Sequence, residues 1–556
     1  MTEPTPPTAP MPPTEPTPPT PIDGEPAGVA DRLGGPRVAV PGDLADRLAA
    51  TGAAVRTGDA DRAEAGRDWW PLAIGWAARG MVPARPAAVV RPSTTEQVAA
   101  VLAACSAAGV PVTAGAGRSG VCGGAVPVFG GVALDCTGLA GDVVVDERSL
   151  VAEVPAGMFG PDLEGTLRGY GDGYTLGHWP QSMDLSTVGG WLACRGAGQY
   201  STRYGKIEDM VVGLEVVLAD GRVVRTEGHG PRAATGPSLT QLFVGSEGTL
   251  GVITRAWFRV HPMPPAEGRR AFGFGGPTGF ADGLDACRRV LRRGATPAVL
   301  RLYDQVESGR NFDRGDTCVL IVLDEADPGL LAATLDVVDQ ECAPTAGRAG
   351  ADRLADDLVD RWLSHRNDVS ALAPLWRADV VVDTVEVAGR WSVLAGLADD
   401  VVAALQAVPG TLAASVHQSH AYPDGACLYF TFGGRRPDPP SGAGAGGAGH
   451  GDVSAETSGR TPGAPAGDMA REGGDMAWEE GYYREAWDTV TATVRRHGAA
   501  ISHHHGIGLN RSRYLADALG TGFEVLAAVK GALDPAGILN PGKLGLPSPF
   551  GEVPWP

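Results

Sequence analysis

The 556-residue chain is short of several things, and each shortage narrows what it can be. Its eight cysteines, at positions 105, 122, 136, 194, 287, 318, 342 and 427, include no Cys-x-x-Cys pair. That scatter argues against a disulfide frame or a cysteine-based zinc site and for reduced thiols. Lysine and arginine (46) fall below aspartate and glutamate (65), which leaves a formal net charge of −19. Nucleic acid or an anionic membrane surface would need a basic field, so neither is expected as the main partner. Any phosphate-bearing ligand must be held by local dipoles and a few placed cations. No uninterrupted apolar run approaches the length of a membrane span. The first residues show no basic stretch followed by an apolar core. A soluble, cytoplasmic protein is the expectation.

What is present divides the chain, which is too long for one core. Residues 1–27 are rich in Pro, Thr and Glu and are expected to be a disordered tail, since they cannot bury apolar surface. Residues 28–84 carry short helical patterns and the pair Trp69-Trp70. Residues 85–265 read as a β-rich domain and 266–432 as a second, α+β domain. Residues 433–477 form a Gly/Ala/Pro/Ser tract expected to be a floppy insertion. Residues 478–556 begin with a helix and carry the triplet His503-His504-His505.

Two glycine-rich stretches stand out. A strand at residues 87–92 leads into a helix through Ser93 and Glu96, which are spaced as a capping box, and a second strand follows Gly109. Directly after it come Gly115, Ala116, Gly117, Arg118, Ser119 and Gly120. Such a loop can turn its amides toward a phosphate. No helical pattern follows, so it is not a Rossmann fingerprint. The second stretch, residues 178–198, crowds Gln181, Ser182, Ser186, Thr187, Gly189, Gly190 and Trp191 together. By itself it reads equally as a tight turn over a core tryptophan or as backbone that approaches another molecule closely. An Asp220-Gly221 hairpin turn and the block from Glu247 to Thr254 close the domain.

Taken in order, these blocks resemble the flavoprotein superfamily typified by vanillyl-alcohol oxidase and the FAD-linked D-lactate dehydrogenases. The loop at 115–120, the Glu-Gly-Thr-Leu-Gly block at 247–251 and Asn540-Pro541-Gly542-Lys543 carry that likeness. Ser-Thr-Val-Gly-Gly-Trp at 186–191, Tyr-Gly-Lys-Ile-Glu-Asp at 204–209, Asp-Gly-Ala-Cys-Leu-Tyr-Phe at 424–430 and Ser-His-His-His-Gly at 502–506 are similar to the alkyldihydroxyacetonephosphate synthase branch. The resemblance implies an α+β fold: an FAD-binding domain of two α+β subdomains, an α+β cap and a C-terminal helical segment. It implies FAD held by residues 115–120, by Gln181, Ser182, Ser186 and Thr187, by Cys194, Arg195, Gly196 and Ala197, and by Glu247, Gly248, Thr249, Leu250, Gly251, Val252 and Ile253. In that branch the acyl chain of a dihydroxyacetone phosphate ester is exchanged for a long-chain alcohol without net redox change, the flavin serving as electron sink and nucleophile. The implied partner is a small, lipid-like substrate, with peripheral membrane contact through it and a homodimer both allowed.

The histidine triplet has three readings. In an extended segment His503 and His505 would share a face, and with His417 and His420 they could bind a metal. They could also be purely structural. The favoured reading is an active-site cluster that hydrogen-bonds a substrate oxygen or phosphate, with no metal. The resemblance makes Tyr429 the acid/base, which calls for a lowered pKa that the histidines could supply as neighbouring cations or hydrogen-bond partners. It makes Arg301 and His417 substrate-binding, although Arg301 could instead pair with Asp304. Three departures mark this chain: Leu372 at the place of a family arginine, His417 at that of another, and Arg118 where threonine is common. Two functions from the flavoprotein class stay in view, the ether-forming exchange and an FAD-linked oxidase or dehydrogenase of an alcohol or 2-hydroxyacid. A flavin-less scaffold is the third.

Overall fold

The computed structural model describes residues 17–18, 20–226, 231–345, 350–437, 466–553 and 555, with side chains from residue 475 onward in the long C-terminal helix. Most of the proline-rich tail and the core of the glycine-rich tract, 438–465, lie outside the described residues. Three sheets position the site.

The first contains β1 (Ala54–Arg56), β2 (Ala88–Arg91), β3 (Val112–Gly115) and β4 (Val132–Asp135), in the order β1-β2-β4-β3. β2 and β3 each run parallel to β4, and β1 lies antiparallel on the edge. Helix α1 (Thr95–Ala108) connects β2 to β3 and ends on Gly109, whose φ of 64° suits a left-handed cap. Its start sits one residue beyond the expected Ser93–Glu96 box. Thr94 caps the helix by accepting from the Gln97 amide, and the Gln97 side chain accepts from the Ser93 amide. The run Ser-Thr-Thr-Glu-Gln offers two overlapping registers, and the second is used. The segment 28–84 carries the expected short helices, at Gly42–Ala50, Asp59–Glu64 and Pro71–Ala77, and also supplies edge strand β1, which is too short to show alternation.

The second sheet is antiparallel: β5 (Val144–Asp146), β6 (Val151–Pro155), β7 (Val211–Val217), β8 (Val223–Arg225) and β9 (Val252–Arg259), ordered β8-β7-β9-β6-β5. Gly221, with φ of 86°, makes the turn between β7 and β8. The glycine pair Gly189-Gly190 lies not in a loop but in helix α2 (Val188–Cys194). A Cβ on Gly189 would fall 3.1 Å from both Cβ and the carbonyl oxygen of Ala156, so glycine lets the helix lie directly against the end of β6.

The third sheet has seven strands, all in antiparallel pairs: β10 (Ala266–Gly275), β11 (Val299–Tyr303), β12 (Thr317–Ala326), β13 (Asp352–Leu354), β14 (Val381–Arg390), β15 (Thr411–Tyr422) and β16 (Gly425–Gly434). Their order is β13-β10-β12-β11-β15-β16-β14. Helices α3 (Gly279–Arg292), α6 (Leu372–Arg377), α7 (Trp391–Ala407) and α8 (Ala466–Arg496) pack with this sheet around the largest apolar core, while α4 (Gln305–Phe312) and α5 (Asp357–His365) lie nearer the cavity. Helix α8 starts inside the tract expected to be an insertion, and β16 runs into its other end. Cross-strand register aligns Tyr303, His417, Tyr429 and Glu386 in one row over four strands. Directly opposed residues share a face, so the pairing alone gathers this polar row.

Candidate functional site

A cavity of about 840 Å³ lies between the cap sheet and the loops of the first two sheets. Glycine contact shapes its floor. A Cβ on Gly117 would lie 2.1 Å from the carbonyl oxygen of Leu185, so the 115–120 loop touches the 181–187 loop backbone to backbone. Residues 115–120, Gln181, Ser182, Ser186, Thr187, Cys194, Gly196, Ala197, Glu247, Gly248, Gly251, Val252 and Ile253 all line the space. Thr187 Oγ1, Gln199 Oε1 and Arg118 Nη2 are buried on lining residues without a hydrogen-bond partner. An unpaired buried polar atom costs roughly 1–3 kcal/mol, so this wall fits a polar ligand with phosphate and carbonyl oxygens. FAD is such a ligand. The Ser186 hydroxyl is already committed, accepting from the Trp191 indole at 2.7 Å and donating to the Ser182 carbonyl at 2.7 Å.

Four expected site residues do not reach the cavity. Arg195 is a left-handed helix cap (φ 57°) whose half-exposed side chain turns toward Glu208. Leu250 belongs to the apolar core, and Thr249 donates to the carbonyl of Ser246. His503 is stacked behind the wall on His420 and Tyr422, with ring centroids at 5.1 and 5.6 Å. Neighbours within a tight turn point in different directions, which a contiguous motif hides.

The cap contributes the facing wall. Tyr429, on β16, stacks on His417 with centroids 4.9 Å apart and meets His505 edge-on at 5.5 Å. Its hydroxyl lies 3.0 Å from Thr384 Oγ1. The lowered phenol pKa expected of an acid/base is not what the surroundings produce. Burial pushes it above its ordinary value, against smaller opposing pulls from Thr384 and Arg301. Nor do the histidines act as cations. Burial pushes His417, His420, His503 and His504 below their ordinary value and His505 down to about 4. The wall is a set of neutral imidazoles around a neutral phenol.

His417 is wired on both nitrogens. Arg301 Nη2 donates to Nε2 at 2.6 Å, so the proton sits on Nδ1 and is donated to Glu307 Oε2 at 2.7 Å. Burial would raise the Glu307 pKa, but His417 and Arg310 hold it down to about 2. His417 therefore positions Arg301 rather than offering a free nitrogen to a substrate. The Arg301–Asp304 pair does not form: Asp304 caps α4 at the Glu307 amide and also accepts from the Val416 amide. Arg301 Nε and Arg366 Nη1 are buried without partners, and both arginines line the cavity with Arg310, Arg361, Trp362 and Leu372. The guanidinium of Arg366 lies over Trp179, Tyr200 and Trp362 at 5.3–5.7 Å. Sequence reasoning named Arg301 of this group and missed Arg310, Arg361 and Arg366. The only trace of the last two was the recurrence of Arg361, Trp362, His365 and Arg366 at helical spacing.

The histidines group differently from the alternation of an extended strand, because residues 503–508 form a turn with Gly506 at φ 80° and Gly508 at φ 54°. One nitrogen each from His420, His503 and His504 lie within 4.8 Å of one another. Ser201 Oγ already pairs with His420 Nδ1 at 2.9 Å, and His503 Nδ1 with His504 Nδ1 at 2.8 Å.

Two family models match the chain. The family "FAD binding domain" matches residues 86–227, and "FAD linked oxidases, C-terminal domain" matches 270–445 and 474–544. An uncharacterized FAD-linked oxidoreductase of Escherichia coli (strain K12) is 29% identical over 473 residues, 83% of this chain and 89% of that protein. The alkyldihydroxyacetonephosphate synthase of Dictyostelium discoideum is 27% identical over 502 residues, 84% of this chain and 74% of that one. Among solved structures, an alkyldihydroxyacetonephosphate synthase aligns with a TM-score of 0.68 at 22% identity, covering 95% of this chain and 89% of its own. p-Cresol methylhydroxylase aligns at 0.69 with 16% identity, covering 91% and 96%. Among the described residues no helix is long and apolar enough to cross a membrane. With both halves of the cavity matched in this way, the chain belongs to the FAD-linked oxidase superfamily and is an FAD-dependent enzyme with a PCMH-type α+β FAD domain.

Proposed function

We propose that the enzyme exchanges the acyl chain of acyl-dihydroxyacetone phosphate for a long-chain alcohol, forming an ether lipid. The observation that carries this reading is the neutral phenol of Tyr429, set among neutral imidazoles opposite the FAD cradle. Residues 115–120, Gln181, Ser182, Thr187, Gly196, Ala197 and the 247–253 loop would hold FAD through amides and hydroxyls. When bound, the flavin supplies an electron sink beside the substrate carbon. Arg301, fixed by His417 and Glu307, would take the phosphate through its free Nε–H, with Arg366 as a second donor. Tyr429 Oη would hand a proton to the departing oxygen and recover one from the incoming alcohol. His504 and His505, uncharged, would accept or relay it. A small, lipid-like substrate, peripheral contact with a membrane through it, a homodimer and a cytoplasmic site of action belong to the same reading.

A second reading is favoured by one feature. Leu372, where the synthase branch has an arginine, lines the cavity, and the arginines that do line it would grip a carboxylate as well as a phosphate. That suits an FAD-linked oxidase or dehydrogenase of a 2-hydroxyacid or alcohol. One assay separates the two: the FAD-loaded protein under argon, with acyl-dihydroxyacetone phosphate and a fatty alcohol. Ether product with an unbleached flavin spectrum is expected. Bleaching by a hydroxyacid, with no exchange product, would replace the first reading by the second.

A further inference from the structure

The histidine turn is held by its backbone, and by more acceptors than an ordinary turn requires. Glu386 Oε1 accepts from the amides of His504 and His505 at 3.2 and 2.5 Å, from Ser502 Oγ at 3.0 Å and from Arg511 Nη1 at 3.0 Å. Its Oε2 accepts from the His503 amide at 3.0 Å. On the other side, Glu247 Oε1 accepts from the Ile507 amide at 2.6 Å and Oε2 from the Gly508 amide at 2.8 Å. Five of the six amides from 503 to 508 thus point at two carboxylates. The remaining residue, Gly506, gives its carbonyl to Ser502 and Arg511.

The two glutamates come from different halves of the molecule, Glu386 from cap strand β14 and Glu247 from the loop before β9 on the cradle side. Positive φ at Gly506 and Gly508 turns successive N–H groups inward into a nest, an arrangement that attracts an anion. Here the anions are the protein's own. A Cβ on Gly506 would lie 2.7 Å from Glu247 Oε1, so the turn is moulded to that carboxylate. Glu386 hydrogen-bonds the backbone and reaches the His505 imidazole only through its charge: His505 Nδ1 is 3.8 Å from Oε1 and has no hydrogen-bond partner.

We propose that Glu386 and Glu247 are paired positioning residues which clamp the histidine turn across the two halves and set where His504 and His505 point into the cavity. The inference rests on the reading of that turn as part of the reactive wall. The clamp explains, through backbone amides alone, how three adjacent, uncharged histidines keep fixed orientations. It also makes the turn the place where the cap and the FAD domain are registered against each other.

Hydrogen exchange of the FAD-loaded protein, resolved over residues 501–509, tests the clamp separately from turnover. Glu386→Gln is expected to lose protection at 503–505 while 507 and 508 stay protected, and Glu247→Gln to do the reverse. Glu386→Gln keeps the FAD spectrum. A misplacement of about 1 Å costs on the order of 100-fold in rate, so kcat for Glu386→Gln should fall by about that factor with KM nearly unchanged. If Glu386→Gln fails to fold around an unpaired Arg511, the double variant Glu386→Gln/Arg511→Gln removes both charges and is read in the same way. Selective, half-by-half loss of protection upholds the clamp whatever substrate the wild type accepts. Unchanged protection at 503–505 overturns it, even in an active enzyme, and so does a uniform loss across the turn in both variants.

Discussion

Replacing Tyr429 by phenylalanine removes one oxygen from the reactive wall and leaves its shape. The ring keeps its stack on His417 at 4.9 Å and its contact with His504 at 6.1 Å. What is lost is the 3.0 Å hydrogen bond with Thr384 and the proton on Oη. A hydrogen bond of this kind contributes about 0.5–1.5 kcal/mol net, so unfolding should shift by no more than a few degrees. Loss of a general acid/base costs roughly 10²–10⁴ in rate, equivalent to about 3–5 kcal/mol of barrier. Turnover should therefore fall far more than stability. Burial keeps the phenol protonated at neutral pH, so the step that suffers is the one in which Tyr429 donates. The assay measures flavin content, melting temperature and single-turnover rate on the same preparation of Tyr429→Phe. Full flavin content with a rate within threefold of wild type would remove Tyr429 from the acid/base role.

Two further outcomes follow from the packing and the charges. In Gly117→Ala the new Cβ would lie 2.1 Å from the Leu185 carbonyl oxygen, so the two cradle loops must part; overpacking of this kind costs about 1–3 kcal/mol. FAD should bind roughly 5- to 150-fold more weakly to the apoprotein, as read by flavin fluorescence titration, and unaltered affinity would deny the 115–120 loop its role in holding the cofactor. Acidification should lower stability. His505, which burial and Arg511 hold down to about 4 from 6.5 against the pull of Glu386, binds fewer protons folded than unfolded throughout that window, so stability rises with pH there and is lost as pH falls. That one group accounts for roughly 3 kcal/mol between pH 6.5 and 4, and the other buried imidazoles shift in the same direction. Asp68, Asp304 and Asp383, raised to about 6 by burial, oppose it in part below that pH. A melting temperature that holds level or rises between pH 7 and 5 would refute the neutral-imidazole account.

Much of the frame could be read from residues that act locally. Gly109 ends its helix and Gly221 makes its hairpin wherever the rest of the chain lies, because each position calls for a left-handed backbone. Gly189 misled for the same reason that the others informed. Its glycine serves close packing against Ala156, a long-range demand, and the helix around it has no local signature. The arginine group of α5 and the segment after it was hidden differently. Arg361, Trp362 and Arg366 look like one face of any surface helix until the cap sheet is closed beneath them.

The histidines show why a motif locates a site better than it assigns roles within it. His417 was placed as a substrate ligand because it stands where relatives carry an arginine. Yet its register on β15 puts it between Arg301 and Glu307, and both nitrogens are taken. An unpartnered guanidinium N–H remains on Arg301, whose direction is set by a carboxylate two contacts away. If that chain of contacts governs recognition, Glu307→Gln should damage binding of an anionic substrate without touching the cavity floor. The amide introduced there could donate to His417 Nδ1, which moves the imidazole proton to Nε2 and sets an N–H against the N–H of Arg301. The expected result is a raised KM, with kcat and flavin content close to wild type. A kcat loss at constant KM would mean that Glu307 acts on the proton-transfer step and not on Arg301.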